Sequence, residues 1–383
     1  MYVCVFLGPY LPFKMPAIAG IPPTGVWTII LLTYAFIASI LPVTTLLQPR
    51  DFINSHQLVI AMALLMLGVL VASFGGNLSI VAPAVQTTPT EAPPMWPFLF
   101  ITIACGAISG FHSLVSSGTS AKQVRNENDA LFVGYGSMLM EGALATLVII
   151  AVAAGIGMGY TTKAGETLTG VAAWSTHYAS WAAAAGLGSK IAAFVDGSAN
   201  MIMTLGISKQ YTLAIMAVFV ASFAGTTLDT ATRIQRYVIG ELGQGLKLNF
   251  LSDRYVATAV TVGSALILAF ATGASGNGAL KLWPLFGAVN QTLAALALII
   301  ITLYLKSKNG MKWLVAGVPA VFMSVMTIWA LVMNQFIFGT AHNGLLQIVN
   351  LIILVIAVWI AIEGLIKFFS PTHIAEDPAP VVT

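Results

Sequence analysis

The sequence predicts an all-α fold, a polytopic bundle of transmembrane helices with broken or re-entrant segments, on three observations. The 383-residue chain is 58% hydrophobic and only 8% charged, where a soluble domain carries about 25% charged residues. Apolar runs recur along nearly its whole length, each of roughly 20 residues and so long enough to cross a hydrocarbon core of about 30 Å as a helix. A soluble fold would have to bury all of these runs at once. Polar side chains and glycines gather at a few points inside the runs, and backbone leaves helical geometry at membrane depth only where it lines a cavity or another helix.

The elements follow in order. Residues 2–14, YVCVFLGPYLPFK, lack the basic start and small-residue cleavage site of a signal peptide. The stretch is short and interrupted by Pro9 and Pro12, so it reads as the tail of a helix whose beginning is absent, in a chain truncated at its N-terminus. Nine spans are predicted at 26–47, 57–75, 96–116, 133–155, 211–227, 255–273, 282–305, 313–333 and 347–369. Residues 181–207 form a further apolar stretch, interrupted by Gly186, Gly188, Lys190, Asp196 and Gly197. The whole of 1–369 is expected to be one transmembrane domain, with a polar, proline-bearing and disordered tail at 370–383.

Cytoplasmic loops retain lysine and arginine, which orients the bundle. If the first span runs outside to inside, one side receives Arg50, Lys122, Arg125, Arg233, Arg236, Lys247, Arg254, Lys306, Lys308, Lys312 and Lys367. The other receives only Lys14, Lys163, Lys190, Lys209 and Lys281. The bias holds only if 181–207 does not cross, so this segment is read as a re-entrant or interfacial hairpin and the C-terminus as cytoplasmic. A formal charge of +3, spread between apolar runs, offers nothing to nucleic acid. Cys4 and Cys105 lack metal-ligand spacing, and Cys105 is expected to pack as a small hydrophobe.

Four places carry candidate chemistry. Between Ile108 and Gln123 the sequence ISGFHSLVSSGTSAKQ packs Gly110, His112, Ser113, Ser116, Ser117, Gly118 and Thr119 into ten residues, which suits a broken helix forming a substrate or ion path. Serines and glycines also serve close helix packing, and His112 can be an ordinary interhelical histidine as readily as a proton carrier. In GTTLDTATRIQRYVIGEL, residues 225–242, Asp229 and Arg233 stand four apart and can neutralise each other on one helix face. That pair fits an inner gate or plain structural pairing. Thr226, Thr227 and Thr230 offer oxygens to a substrate or cation, whereas Arg236 and Glu241 are expected in solvent or headgroups. Glu141 lies a third of the way into the fourth span; an acid there must be protonated, paired or hydrated, which suits proton relay or a structural partner such as His112 or Lys122. Pro284, Gly287, Asn290 and Gln291 fall in the outer half of another span, where adjacent amides bind a polar solute or bridge helices. Arg50 and Asp51 read as a local ion pair in a short turn. The sequence shows no phosphate-binding loop, metal motif or nucleophile elbow, so no cofactor is expected and neither ATP-driven pumping nor enzyme chemistry is indicated.

The strings LPVTTLLQPRDFINS, ITIACGAISGFHSLVSSGTSAKQ, VGYGSMLMEG, TTLDTATRIQRYVIGEL and LWPLFGAVNQTLAALAL occur in order between Leu41 and Leu298, and in them the chain resembles the carbon starvation protein A family. Members of that family are longer at the N-terminus. The resemblance implies an inner-membrane transporter of bacteria, induced on nutrient depletion and associated with peptides or, in one branch, with pyruvate and protons. It also implies the inverted repeats and broken helices of the amino acid–polyamine–organocation superfamily. It carries no assigned site residue. The expected function is secondary active transport of a peptide, amino acid or pyruvate, coupled to proton or sodium; a membrane nutrient sensor or scaffold that moves no solute is the alternative.

Overall fold

The computed structural model describes residues 2–370 apart from Pro12, Thr88, Lys163, Ala185, Gly186 and Asn309. The tail beyond Ser370, and the Lys163 counted in the charge bias, lie outside the described residues. The α-helices are α1 (Tyr2–Leu7), α2 (Pro23–Ile40), α3 (Leu47–Phe74), α4 (Phe100–Ala107), α5 (Gly110–Gly118), α6 (Glu127–Leu131), α7 (Ser137–Ala153), α8 (Gly170–His177), α9 (Leu187–Met203), α10 (Lys209–Gly245), α11 (Arg254–Phe270), α12 (Trp283–Ser307), α13 (Leu314–Thr340) and α14 (Gly344–Phe369). A short antiparallel hairpin, β1 (Tyr160–Thr161) with β2 (Thr167–Leu168), stands between α7 and α8.

Among the described residues, eight helical stretches have the length and composition to cross a membrane: Pro23–Ile40, Leu47–Phe74, Met95–Lys122, Glu127–Met158, Lys209–Gly245, Gly278–Ser307, Leu314–Thr340 and Gly344–Phe369. The ninth predicted span is α11, apolar but only 17 residues long. Asp253 starts α11 by accepting from the amides of Tyr255 and Val256 at 2.9 and 3.0 Å, as an N-cap does. The predicted span ran to Gly273, but the helix ends three residues sooner, and Gly273 takes φ +130° in the following turn. Outward faces are apolar: on α14 Ile348, Ile352, Val355, Trp359 and Ile362 are each more than half exposed. Such a belt is stable against lipid and costly against water.

Contacts divide the chain into two compact units, Met1–Ala92 with Val124–Gly278, and Pro93–Gln123 with Ala279–Thr383. In the first, α9 packs against α3, α7 and α10, around a core of Leu65, Leu147, Met201, Ile202, Met216 and Phe219. Close approach depends on Gly197, where a Cβ would fall 2.0 Å from the carbonyl oxygen of Ala151 on α7. Small residues of this kind let helix backbones meet where lipid supplies no hydrophobic drive. The Val81 amide donates to Ala153 at 2.9 Å and Thr204 Oγ1 to Gly68 at 3.4 Å. The end of α3, the end of α7 and the turn into α10 therefore lie together.

In the second unit α12, α13 and α14 pack on one another, with α4 and α5 against α12. Its core includes Ile101, Ala288, Ala330, Leu331 and Ala357 in one cluster and Ala104, Ala295 and Met323 in another, with alanines where the helices meet.

Candidate functional site

The predicted break falls between α4 and α5. Ile108 (φ −137°, ψ 94°) and Ser109 (φ −99°, ψ 137°) are extended, so the helix interrupts itself for two residues inside an apolar stretch. Asn290 on α12 repairs the interruption. Its Oδ1 accepts from the Phe111 amide at 2.9 Å and from Ser109 Oγ at 3.2 Å. Its Nδ2 lies 2.9 Å from Ser109 Oγ and 3.1 Å from Cys105 Sγ. Gly110 permits this approach, since a Cβ there would sit 2.1 Å from the Asn290 carbonyl oxygen. Asn290, with Ser109 Oγ, which also accepts from the Phe111 amide at 3.2 Å, thus replaces hydrogen bonds that the broken helix gives up. Cys105, expected to be a mere apolar filler, is a weak acceptor in this network.

The rest of the predicted cluster is less concentrated. The hydroxyls of Ser113, Ser117 and Thr119 donate to their own helix, to Gly110, Ser113 and Val115 at 2.7, 2.9 and 2.9 Å. His112, Ser116 and Ser117 are exposed and Thr119 is buried. Beside Asn290, Gln291 is fully buried, and neither end of its amide meets a partner among the described residues. Gln291 lies one turn from Ala288 and one from Ala295, on the helix face between the two clusters. On α13 and α14, Thr327 Oγ1, Asn334 Nδ2 and Asn350 Oδ1 are likewise sealed without a partner among the described residues. Unpaired amides in a dry core cost roughly 1–3 kcal/mol each. Asn334 and Asn350 escaped the sequence reading because a lone amide in a long apolar run gives no local signal.

The first unit holds the second polar cluster. Asp229 is 3% exposed and forms its ion pair with Arg50 on α3 rather than with Arg233 on its own helix. Arg50 also donates to Tyr34 at 3.2 Å and to Asp51 at 3.2 Å. The local Arg50–Asp51 pair expected from sequence therefore exists, but it is the lesser of the two contacts Arg50 makes with carboxylates. Arg233 turns to the end of α2, donating to the carbonyls of Ala38 and Leu41 at 2.8 and 2.9 Å. Arg236 does the same to Ser39 at 2.8 Å. It is buried, not solvated as predicted, because the carbonyls that close α2 are unsatisfied without a cation. Glu241 is exposed, as expected. Thr226 accepts from Asn54 and donates to the Ser222 carbonyl, while Thr227 is exposed and bonded to Phe223. Thr230 is buried, and Glu141 lies exposed on α7. Asp229 and Arg233 thus each take a partner from another helix, and Arg50, Tyr34 and Asn54 join this cluster as members that sequence spacing on one helix cannot reveal.

A third feature lies in the first unit. His177 at the end of α8 is 5% exposed, wedged between Tyr160 and Tyr178 at ring distances of 5.1 and 4.5 Å.

A helix broken over a polar network, set among apolar helices, is a feature found in membrane carriers. The chain belongs to the carbon starvation protein CstA family, whose profile matches residues 1–330. It is 33% identical over 389 residues to the pyruvate/proton symporter BtsT of Escherichia coli K12, which covers 86% of this chain and 52% of that protein. It is 34% identical over 360 residues to the peptide transporter CstA of Mycobacterium tuberculosis H37Rv, covering 81% and 46%. With the peptide transporter CstA of Helicobacter pylori 26695 it shares 30% over 395 residues, covering 91% and 57%. The chain thus spans about half the length of these relatives. No solved structure matches it.

Proposed function

We propose that the chain is part of a secondary active transporter of a small organic solute, a peptide or pyruvate, driven by the proton gradient across a bacterial inner membrane during nutrient starvation. The observation that carries this reading is the α4–α5 break held by Asn290, with the partnerless amide of Gln291 one residue further along α12. A helix that only anchored a sensor would have no use for an interruption that a second helix must repair. The printed names of the relatives, a pyruvate/proton symporter and peptide transporters, support the same reading. In this scheme Gly110, Ser113 and the 108–123 segment, with Asn290 and Gln291, meet solute. The sequence expectation gives the proton to Glu141 or His112, and Asp229 with Arg50 and Arg233 forms the inner gate.

Segment 181–207 is taken as re-entrant. In support, α7 ends and α10 begins at the same end of the first unit, where Val81 meets Ala153 and Thr204 meets Gly68. A segment that leaves and returns to one side makes no net crossing, so the Arg50, Arg233 and Arg236 cluster keeps its cytoplasmic place; the lysine and arginine bias of the sequence assigns the C-terminus to the cytoplasm.

The test is uptake of labelled pyruvate and dipeptides by proteoliposomes carrying the chain, with and without an inward pH gradient. Accumulation that collapses with a protonophore is the expected result. Inserted protein that gives neither accumulation nor solute counterflow overturns the transport reading in favour of a sensor or scaffold.

A further inference from the structure

Proton coupling needs a titratable group held where water does not freely reach it, and His177 fits that requirement more closely than either residue singled out from sequence. His177 is buried, whereas His112 and Glu141 are exposed. The backbone of Ser189 on α9 lies near enough to the imidazole to favour its charged form. Its Nε2 is sealed and meets no partner among the described residues. Ser189, Ala193, Asp196 and Asn200 recur at three- and four-residue steps along α9 and so share one face. Ala193 packs that face against Ile156, Trp174, Tyr160 and Tyr178. Asn200 pins it to the end of α7 by donating to the carbonyls of Gly155 and Gly159 at 3.0 and 2.7 Å. The Asp196 carboxylate lies within electrostatic reach of the ring.

We propose that His177 and Asp196 form an occluded proton-binding dyad in which His177 Nε2 takes the coupling proton and Asp196 balances the imidazolium charge. The site needs no void, because a proton fills none. It rests on the reading of the chain as part of a proton-coupled carrier. The groups that face the dyad are Tyr160 on β1, Tyr178 after α8 and Asp196 on α9, with Lys209 at the start of α10 acting on Asp196. Burial is the largest influence on the ring and holds His177 below the ordinary histidine value, while Asp196 and the Ser189 backbone pull it back up. Tyr178 is pushed up by burial and stays neutral. His177 is therefore neutral at rest near neutrality, burial pushes the Asp196 carboxyl up while Lys209 and His177 hold it down, and loading of the ring responds to a fall in pH on the side where α7 ends.

Two measurements on the whole chain test the dyad. In the first, the chain is labelled with 15N-histidine in lipid nanodiscs, and the His177 signal is assigned by its loss in His177→Gln. It should titrate below about pH 6.5, and in Asp196→Asn the midpoint should move down by about one unit or more. A signal that shows no titration down to about pH 4, or that is unmoved by Asp196→Asn, overturns the dyad. In the second, the ratio of gradient-driven to gradient-free uptake in proteoliposomes should fall toward one in both variants. An undiminished ratio overturns the coupling role. If the unmodified chain moves no solute at all, the transport reading fails by itself, and the nanodisc titration still decides whether the dyad binds a proton.

Discussion

Asp229 is neutralised by Arg50 on α3, while Arg233, one turn along the same helix, is spent on the carbonyls that close α2. The three helices α2, α3 and α10 are thereby tied at one end by charge-assisted bonds that cross between elements. Removing one partner strands the other in a site that is 3% exposed at Asp229 and 16% at Arg50. Asp229→Asn or Arg50→Gln alone should lower stability by about 2–4 kcal/mol, and the double variant should cost less than the sum of the two. Thermal unfolding in detergent, read as a double-mutant cycle, checks this. Strict additivity would mean that the pair does not couple.

Arg236 makes a separate case, since among the described residues its guanidinium forms no ion pair with a carboxylate and instead holds the Ser39 carbonyl. Replacing it with Gln removes a cation from a helix C-terminus and strands a buried acceptor, at about 1–3 kcal/mol. Arg236→Lys should recover part of that loss, because an ammonium can reach one carbonyl even though it cannot reproduce the guanidinium fork. A stability unchanged in Arg236→Gln would show that water serves the carbonyl equally well.

Hydropathy made eight of the nine predicted spans legible, because a run of apolar side chains long enough to cross lipid is a property of consecutive residues. The break near His112 was legible for a similar reason: glycines and hydroxyls crowd a short stretch. What closes the break was only half legible. Asn290 stood out as an amide in an apolar run, but nothing local pointed it at Ser109, which lies 181 residues away. The Asp229–Arg233 expectation shows the opposite failure. Helical spacing offered a partner four residues off, and tertiary packing supplied a different one, 179 residues away, while a helix end claimed the first. His177 carried no signal, because burial is not written in neighbouring residues.

Gln291 and Asn290 are adjacent and should respond in opposite ways. Asn290→Leu takes the acceptor from the Ser109 hydroxyl and leaves the Phe111 amide only its 3.2 Å bond to Ser109 Oγ, so a loss of about 1–3 kcal/mol is expected. Gln291→Met removes an amide that has no partner among the described residues and nearly conserves volume, so stability should hold or rise. If Gln291 meets solute, the same variant lowers uptake while stability holds. A destabilised Gln291→Met would instead place the amide in a structural contact.

The buried imidazole also gives stability a pH dependence of definite sign. Burial holds the folded value of His177 below the ordinary one, so as pH falls through about 6.5 the unfolded chain takes up a proton before the folded chain does. Folding is then disfavoured, and the penalty stops growing only below the folded value. The apparent Tm in detergent should therefore drop between about pH 7 and 5.5, and His177→Gln should flatten that part of the profile. Asp196→Asn should steepen it, because the carboxylate favours the imidazolium and its loss widens the gap between the folded and unfolded values. An acid limb identical in all three proteins would remove His177 as its source. A limb flattened by both variants would reverse the part assigned to Asp196.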